Sequence, residues 1–597
     1  MDRSSRAGPS HYSQREARNV EVVADVSTGK ERRALAAVTA LHAVIGSWVA
    51  TLTPGPLLVS DDLAYLGMAR TLAGQGAAPL AEQPPYGVLY SALLAPGWAL
   101  GLNETSMLIW ARILNGLLGA AVVPVLYFVV RRLTGASRRW SLAAAVVGAS
   151  LPAHMSTASI VWTERLLPLL VALSVLCLIR FVERRSIGRA ITVVGIAAAL
   201  FAGHPRMGAC ALVTVLAVPC IARFDRLVRR KQAGPIFSTP TAAGVAGTTD
   251  ATGSTGAVGV AGSGTRFGVR NTLVVGTVGL LGLAAVEGVR RITADAAFAS
   301  SGTYDIADLA QRRGWGETPE MVIRGTGTVG YLVLATAGLA VIGVVVLLRS
   351  PPVGPWVFLQ AVAVAVVAGW FLTGVQRADA YLHGRYIEVM APVLVSLGII
   401  GLARMRALWA GLAMAVAIVA SGVWGAWAGP GDNWSEARSP VMMLGTEAGG
   451  APFGNDVFEP GAAAFVALAV GAVLLIAFRR PQPWLGLGLA IGALALGTAS
   501  DLEALNQLYE TATLSTVQED LGDIRISQIA VDTEGLSRNL TGAVAWEVGF
   551  DNTSIQTSTD KIHPNTSHLL LRADATAPPT AELVTEVGTG KLWALSR

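Results

Sequence analysis

The chain has 597 residues, of which 52% are hydrophobic and only 14% charged, and its mean hydropathy is +0.53. That balance excludes a soluble globular protein and places the chain among polytopic membrane proteins. The formal charge of +5 does not indicate nucleic acid as a partner, because the basic residues cluster at the ends of apolar runs, where they act as topology signals.

Residues 1–33 lack apolar periodicity and are expected to form a disordered cytoplasmic tail ending in Lys30-Glu31-Arg32-Arg33. Residues 34–52 are apolar and long enough to cross about 30 Å of hydrocarbon, and without a clear small-residue cleavage site they read as a retained helix. Residues 53–107 are too polar at the start and too punctuated by Gly and Pro for a span, so a large first outer loop with short helices is expected. Further apolar runs at 108–130, 141–155, 166–178, 191–201, 207–221, 272–286, 328–348, 356–375, 389–402, 408–427, 462–478 and 484–499 bring the expected total to roughly 13 spans.

With the N-terminus inside, Arg131, Arg132, Arg180, Arg184, Arg185, Arg189, Arg404, Arg406, Arg479 and Arg480 all fall on the cytoplasmic side. The protein is thus expected in the plasma or inner membrane, with the acidic pair Asp61-Asp62 and residues 501–597 on the extracytoplasmic side. Residues 233–268, rich in Gly, Ala, Thr and Ser, read as a flexible cytoplasmic linker between an N-terminal module (34–232) and a C-terminal transmembrane bundle (269–500). In 501–597 the composition changes: 524–532 and 568–573 read as strands, 536–546 is ambiguous, and 581–595 is a hairpin around Gly588-Thr589-Gly590. The expected fold is therefore a polytopic α-helical membrane protein with a small C-terminal extracytoplasmic α/β domain. Cys177, Cys210 and Cys220 lie in apolar runs without paired spacing or nearby His, so they indicate neither disulfides nor a metal site.

The chemistry centres on Ser60-Asp61-Asp62-Leu63-Ala64-Tyr65. Two carboxylates beside a bilayer need water or a cationic partner. If 61–72 is a helix, Asp61 and Tyr65 share a face and Asp62 points aside, an arrangement that suits a general base and also suits simple helix capping. Beyond this pair come Met68-Ala69-Arg70-Thr71-Leu72, Pro84-Pro85-Tyr86-Gly87-Val88-Leu89-Tyr90, Trp110-Ala111-Arg112-Ile113-Leu114-Asn115-Gly116 and Trp162-Thr163-Glu164-Arg165, and much later His383-Gly384-Arg385-Tyr386.

In this order the pieces resemble the GT-C-type integral-membrane glycosyltransferases, the class that includes protein O-mannosyltransferases, the lipid A aminoarabinose transferase and actinobacterial cell-wall mannosyl- and arabinosyltransferases. The resemblance covers about 34–223 and the short 383–386 element. It implies a polyprenyl-phosphate sugar donor entering from the bilayer and an extracytoplasmic acceptor attacking the anomeric carbon with inversion, helped by a carboxylate of the first outer loop. Asp61 occupies the position of that carboxylate and Asp62 that of its acidic neighbour. The family often has Asp-Glu here, so the Asp-Asp form leaves the division of labour open. Members differ in metal use, so the resemblance fixes no cofactor and leaves a divalent metal open.

Glu164, at a helix end beside Arg165, reads either as a locally paired interface residue or, by its family position, as part of the donor site, with Tyr65 nearby. Arg206, in the turn His204-Pro205-Arg206, is a candidate phosphate contact, and His204 a turn residue. Residues 290–324 carry Arg290, Arg291, Arg312, Arg313 and Arg324 on the outer side; an acid-balanced loop accounts for them better than a phosphate site. Arg385 and Tyr386 are better donor-phosphate candidates, with Arg377 a lesser one. The expected function is a membrane glycosyltransferase. The alternative is a transporter or flippase of a lipid-linked or polar substrate, although no second half matches the first; a non-catalytic scaffold is a third reading.

Overall fold

The structure is a computed structural model. It describes residues 29–57, 59–77, 87–232, 269–297, 318–375, 377–429, 442–446, 459–479, 483–510, 513–521, 524, 526–532, 536, 538–556 and 566–595. The expected tail up to residue 28, the linker 233–268, Pro84-Pro85-Tyr86, and Arg312 and Arg313 lie outside these.

Helix α1 (Gly29–Ala50) is followed by two short helices, α2 (Val59–Leu72) and α3 (Val88–Ala99), within the expected first outer loop. Helix α4 (Glu104–Thr134) has unambiguous ends. The Asn103 side chain accepts from the Ser106 amide at its start, Arg131 and Arg132 sit in the last turn where cations favour the dipole, and Gly135 closes it at φ 62°. Next come α5 (Arg138–Ala149), α6 (Pro152–Ser156), α7 (Leu166–Glu183), α8 (Ile187–Gly203), α9 (Gly208–Gln232) and α10 (Val269–Ala297). The second half contains α11 (Thr318–Ala335), α12 (Leu339–Leu348), α13 (Val353–Leu372), α14 (Ala391–Arg404), α15 (Ala407–Ala428), α16 (Pro460–Ala477) and α17 (Pro483–Glu510).

Among the described residues nine helices are long and apolar enough to cross a membrane, and α11 with α12 make a tenth span if counted together. The protein is thus a polytopic helical membrane protein, but with fewer full-length spans than the roughly 13 that hydropathy alone gives. The expected spans 141–155, 191–201 and 389–402 fall on α5, α8 and α14, helices of 12, 17 and 14 residues. At about 1.5 Å per residue these are shorter than the hydrocarbon core. Helix α5 ends where Pro152 forces Leu151 into extended backbone. The expected single span 328–348 is bent by 107° between α11 and α12, at Ala337 (φ 47°) and Gly338 (φ 78°).

The C-terminal region adds α18 (Thr513–Leu521), α19 (Arg538–Val548) and five strands: β1 (Ile529–Asp532), β2 (Thr553–Gln556), β3 (His568–Arg572), β4 (Ala581–Val587) and β5 (Gly590–Leu595). The sheet order is β2-β1-β3-β5-β4. Strand β1 is parallel to β2 and β3, and β5 is antiparallel to β3 and β4. The ambiguous stretch 536–546 becomes α19, the crossover that a parallel β1/β2 pair requires. Strand β2 is too short and polar to have been visible. The domain rests on α2 and its neighbours: Asp551 pairs with Arg70, the Arg70 guanidinium lies 5.9 Å from the centre of the Phe550 ring, and the Phe550 amide donates to Glu104 at 3.0 Å.

Candidate active site

Three segments far apart in sequence converge where α2 begins. The first is α2 itself, with Asp61 facing the bundle. The second is the turn into α7, a 3₁₀ turn at Thr163–Arg165, where the Thr163 hydroxyl donates to the Gly203 carbonyl at 3.0 Å and so ties this turn to the one carrying Arg206. The third is the irregular stretch between α13 and α14, which presents Arg385.

The side chains form a continuous charged array. Arg385 Nη1 stands 2.8 Å from Asp61 Oδ2, and its Nε stands 2.6 Å from Glu164 Oε1. Arg206 Nη2 meets the same Glu164 oxygen at 2.8 Å. Two aromatic faces back the cations: Arg385 lies 4.3 Å from the Trp162 ring centre and Arg206 4.5 Å from that of Tyr386, a placement that favours guanidinium over ammonium. Glu164 and Arg206 are each 4% exposed and Arg385 7%, whereas the Asp61 side chain keeps 13%. Among the described residues Arg206 Nε and Nη1 and Glu164 Oε2 are buried without a hydrogen-bond partner. Such groups are costly when unsatisfied, so they mark capacity held for something polar.

Asp61, Glu164, Arg206 and Arg385 are therefore brought together, with Tyr386 at their edge. Asp62 is not among them: it is fully buried, and its Oδ1 accepts from the Val161 amide, bracing the segment that leads to Glu164. Tyr65 is buried edge-on against Tyr90, ring centres 5.3 Å apart. Burial first, then the Glu164 charge, hold its phenol protonated well above its usual range. His204 behaves as a turn residue. Its Nδ1 accepts from the Arg206 amide at 3.2 Å, and burial followed by Arg206 and Arg385 keep the ring neutral.

The described arginines of the 290–324 segment are taken up locally. Arg290 and Arg291 pair with Glu287 at 2.7 and 2.8 Å, and Arg324 with Glu320 at 3.0 Å. Arg377 pairs with Asp379 at 3.0 Å. The pairing of Glu287 with two arginines also accounts for a carboxylate within α10.

Several important residues had no role assigned from sequence. Asn115 accepts from the Tyr90 hydroxyl at 2.7 Å and donates to the Ala158 and Ile160 carbonyls at 3.1 and 2.8 Å, fixing the loop that precedes Glu164. Its place in the Trp110–Gly116 motif was the only available signal. Gly119, one turn further along α4, lies where the buried Arg165 guanidinium passes, and a Cβ there would sit 1.7 Å from Nη2.

Gly384 lies flat on the Tyr331 ring, its amide donating to the Met442 carbonyl at 2.8 Å, and a Cβ would fall 2.1 Å from a ring carbon. Gly384→Ala is therefore expected to push Arg385 out of the array and to cost about 1–3 kcal/mol through overpacking. Thermal unfolding of the purified variant checks this; a melting curve unchanged from the parent would contradict the packing described.

Behind Arg385, Glu388 is buried with Tyr331 Oη against it and against the Leu444 carbonyl. The phenol has one proton for two acceptors, so a proton on Glu388 completes the set. Burial pushes the carboxyl up to about 8 from 4.5, with Tyr331, Arg206 and Arg385 opposing and Glu164 assisting. Because the folded value is raised, the stability it contributes is full below pH 4.5 and is lost as pH rises through about 8, by at most on the order of 5 kcal/mol. Relative to Glu388→Gln, the parent should lose melting temperature across that window. Parallel pH profiles for the two proteins would show that Glu388 does not titrate in this way.

The donor set does not fit a metal cage. Asp61 and Glu164 each face a guanidinium, and among the described residues no group of three or more His, Cys, Asp or Glu side chains could hold an ion. The array sets two buried arginines beside a partly open carboxylate.

No protein-family model matches the chain, and no curated protein matches its sequence. Solved structures do match. ArnT from Cupriavidus metallidurans bound to undecaprenyl phosphate aligns over 95% of this chain and 98% of its own, with a TM-score of 0.52 at 14% identity. Arabinosyltransferase EmbB from Mycobacterium smegmatis aligns over 79% of this chain and 42% of its own, with a TM-score of 0.42 at 15% identity. The chain has the fold of the GT-C-type membrane glycosyltransferases.

Proposed function

We propose that the protein transfers a sugar from a polyprenyl-phosphate donor to an acceptor hydroxyl, at the end of the bundle carrying Asp61. The observation that carries this reading is the array Asp61–Arg385–Glu164–Arg206. A buried arginine pair in which Arg206 has unspent N–H groups suits a phosphate leaving group, since guanidinium binds its oxygens bidentately and keeps its charge. The fold is consistent with it, and a protein of this fold, ArnT, is one solved with undecaprenyl phosphate.

In this scheme the donor phosphate takes up the free Arg206 N–H groups and draws Arg385 away from Asp61. The released carboxylate accepts the proton of the acceptor hydroxyl, whose oxygen forms the new bond to the anomeric carbon. The bond from that carbon to the phosphate oxygen breaks with its electrons going to phosphate, held by both arginines. Attack opposite the leaving group gives inversion. Glu164 keeps the two cations at fixed spacing, and Tyr386 and Trp162 cover their faces.

The test is transfer of radiolabelled sugar from polyprenyl-phosphate donors in membranes containing the protein, in parallel with substrate counter-flow in vesicles. Donor-dependent labelling of an acceptor, lost in Arg385→Ala, supports the proposal. Counter-flow without transfer would replace it with a transporter.

A further inference from the structure

The far end of α7 holds a second charged site with no part in this chemistry. Arg180 lies 16 residues beyond Glu164, which along a helix is roughly 25 Å, so the site opens on the opposite face of the membrane. It is a cavity of about 420 Å³ between the end of α4, the end of α7 and the start of α8, lined by Arg132, Arg180, Arg184 and Arg189 with Glu183 and Thr192. Four arginines thus face one carboxylate. Arg132 is held by Glu183 at 2.6 Å, and Arg189 donates to the Arg180 carbonyl. Among the described residues the guanidiniums of Arg180 and Arg184 meet no carboxylate.

Helix-terminal arginines favour the dipoles of α4 and α7, but that effect requires neither a cavity nor an arginine from the opposing helix. The surroundings distinguish a lipid from a soluble anion. Arg132 stands in the last turn of α4 and Arg180 in that of α7, so the cavity sits where two spans leave the hydrocarbon, at the level of lipid headgroups. The volume lies in the roughly 300–1,000 Å³ range of small-ligand sites.

We propose that this cavity binds the phosphate headgroup of an anionic glycerophospholipid, with its acyl chains in the adjoining hydrocarbon. Basic pockets between helix ends at a membrane face hold such headgroups through charge and bidentate hydrogen bonds. A bound lipid would bridge α4, α7 and α8, stiffening the frame whose other end positions Glu164.

The experiment is native mass spectrometry of the full-length protein in detergent with phosphatidylglycerol, phosphatidylcholine or inorganic phosphate. Phosphatidylglycerol should be retained about tenfold better than phosphatidylcholine, and Arg180→Gln with Arg184→Gln should remove that preference. Should the double variant fail to fold, the exposed single change Arg184→Gln is read the same way, with a several-fold loss expected. Equal retention of the two lipids, or an undiminished preference in the variants, overturns the proposal. Full displacement of phosphatidylglycerol by millimolar inorganic phosphate overturns it in favour of a soluble-anion site.

Discussion

Asp61→Asn is expected to reduce sugar transfer by about 10²–10⁴-fold while leaving the protein folded. The asparagine amide has nearly the same shape, and its oxygen still accepts from Arg385, which now holds Asp61 at 2.8 Å. Little packing energy is at stake, because Asp61 is the least buried of the four charged groups in the array. What is lost is the ability to take a proton from the attacking hydroxyl. The loss should therefore fall on the maximal rate, with donor affinity changed much less, since the phosphate contacts belong to Arg206 and Arg385. Single-turnover transfer with saturating donor separates the two quantities. A variant transferring at the parental rate would remove Asp61 from the mechanism. Asp62→Asn is a useful companion, because Asp62 braces Val161 and should show its effect in stability.

Glu164→Ala is expected to destabilise the protein by about 3–5 kcal/mol. Glu164 Oε1 receives both Arg206 at 2.8 Å and Arg385 at 2.6 Å, and all three side chains are nearly enclosed. Removing the carboxylate leaves like charges facing each other in a poorly solvated place, and that penalty exceeds the worth of the pair itself. Partial recovery on adding Arg206→Met, which takes away one uncompensated charge, distinguishes electrostatics from lost packing. Thermal unfolding in detergent reads both variants. If the double change is as unstable as the sum of the singles, the array is not coupled as described.

Much of this was legible from residue chemistry. Hydropathy located the helices, and the family resemblance named Asp61 and Arg385 as site residues, but only the fold sets them side by side across a gap of more than 300 residues in sequence. Hydropathy does not distinguish a spanning helix from a short buried one, because α14 is apolar along nearly its whole length yet has only 14 residues. The helical period already sets Asp62 aside from Asp61, a difference that the family resemblance leaves open, and the fold turns one toward Arg385 and the other toward Val161. Asn115 and Gly384 were present in the motifs, but their work of pinning a loop and clearing space for a ring depends on partners that only the folded chain brings near. Glu388 lies just before an apolar run and carries no pattern that would reveal a buried acid.

The contact between Arg70 and Asp551 spans 481 positions of the chain. Helix α2 leaves the ribosome long before the sheet, so part of its surface stays bare until the sheet exists. At about 5–20 residues per second of synthesis, that wait is roughly half a minute to a minute and a half. Arg385 is also made long after Asp61, so the array stays unfinished while the residues between them are synthesised. Assembly of the bundle and arming of the carboxylate are consequently separate events, and a ribosome-stalled or prematurely ended chain would be inserted in the membrane without a completed centre.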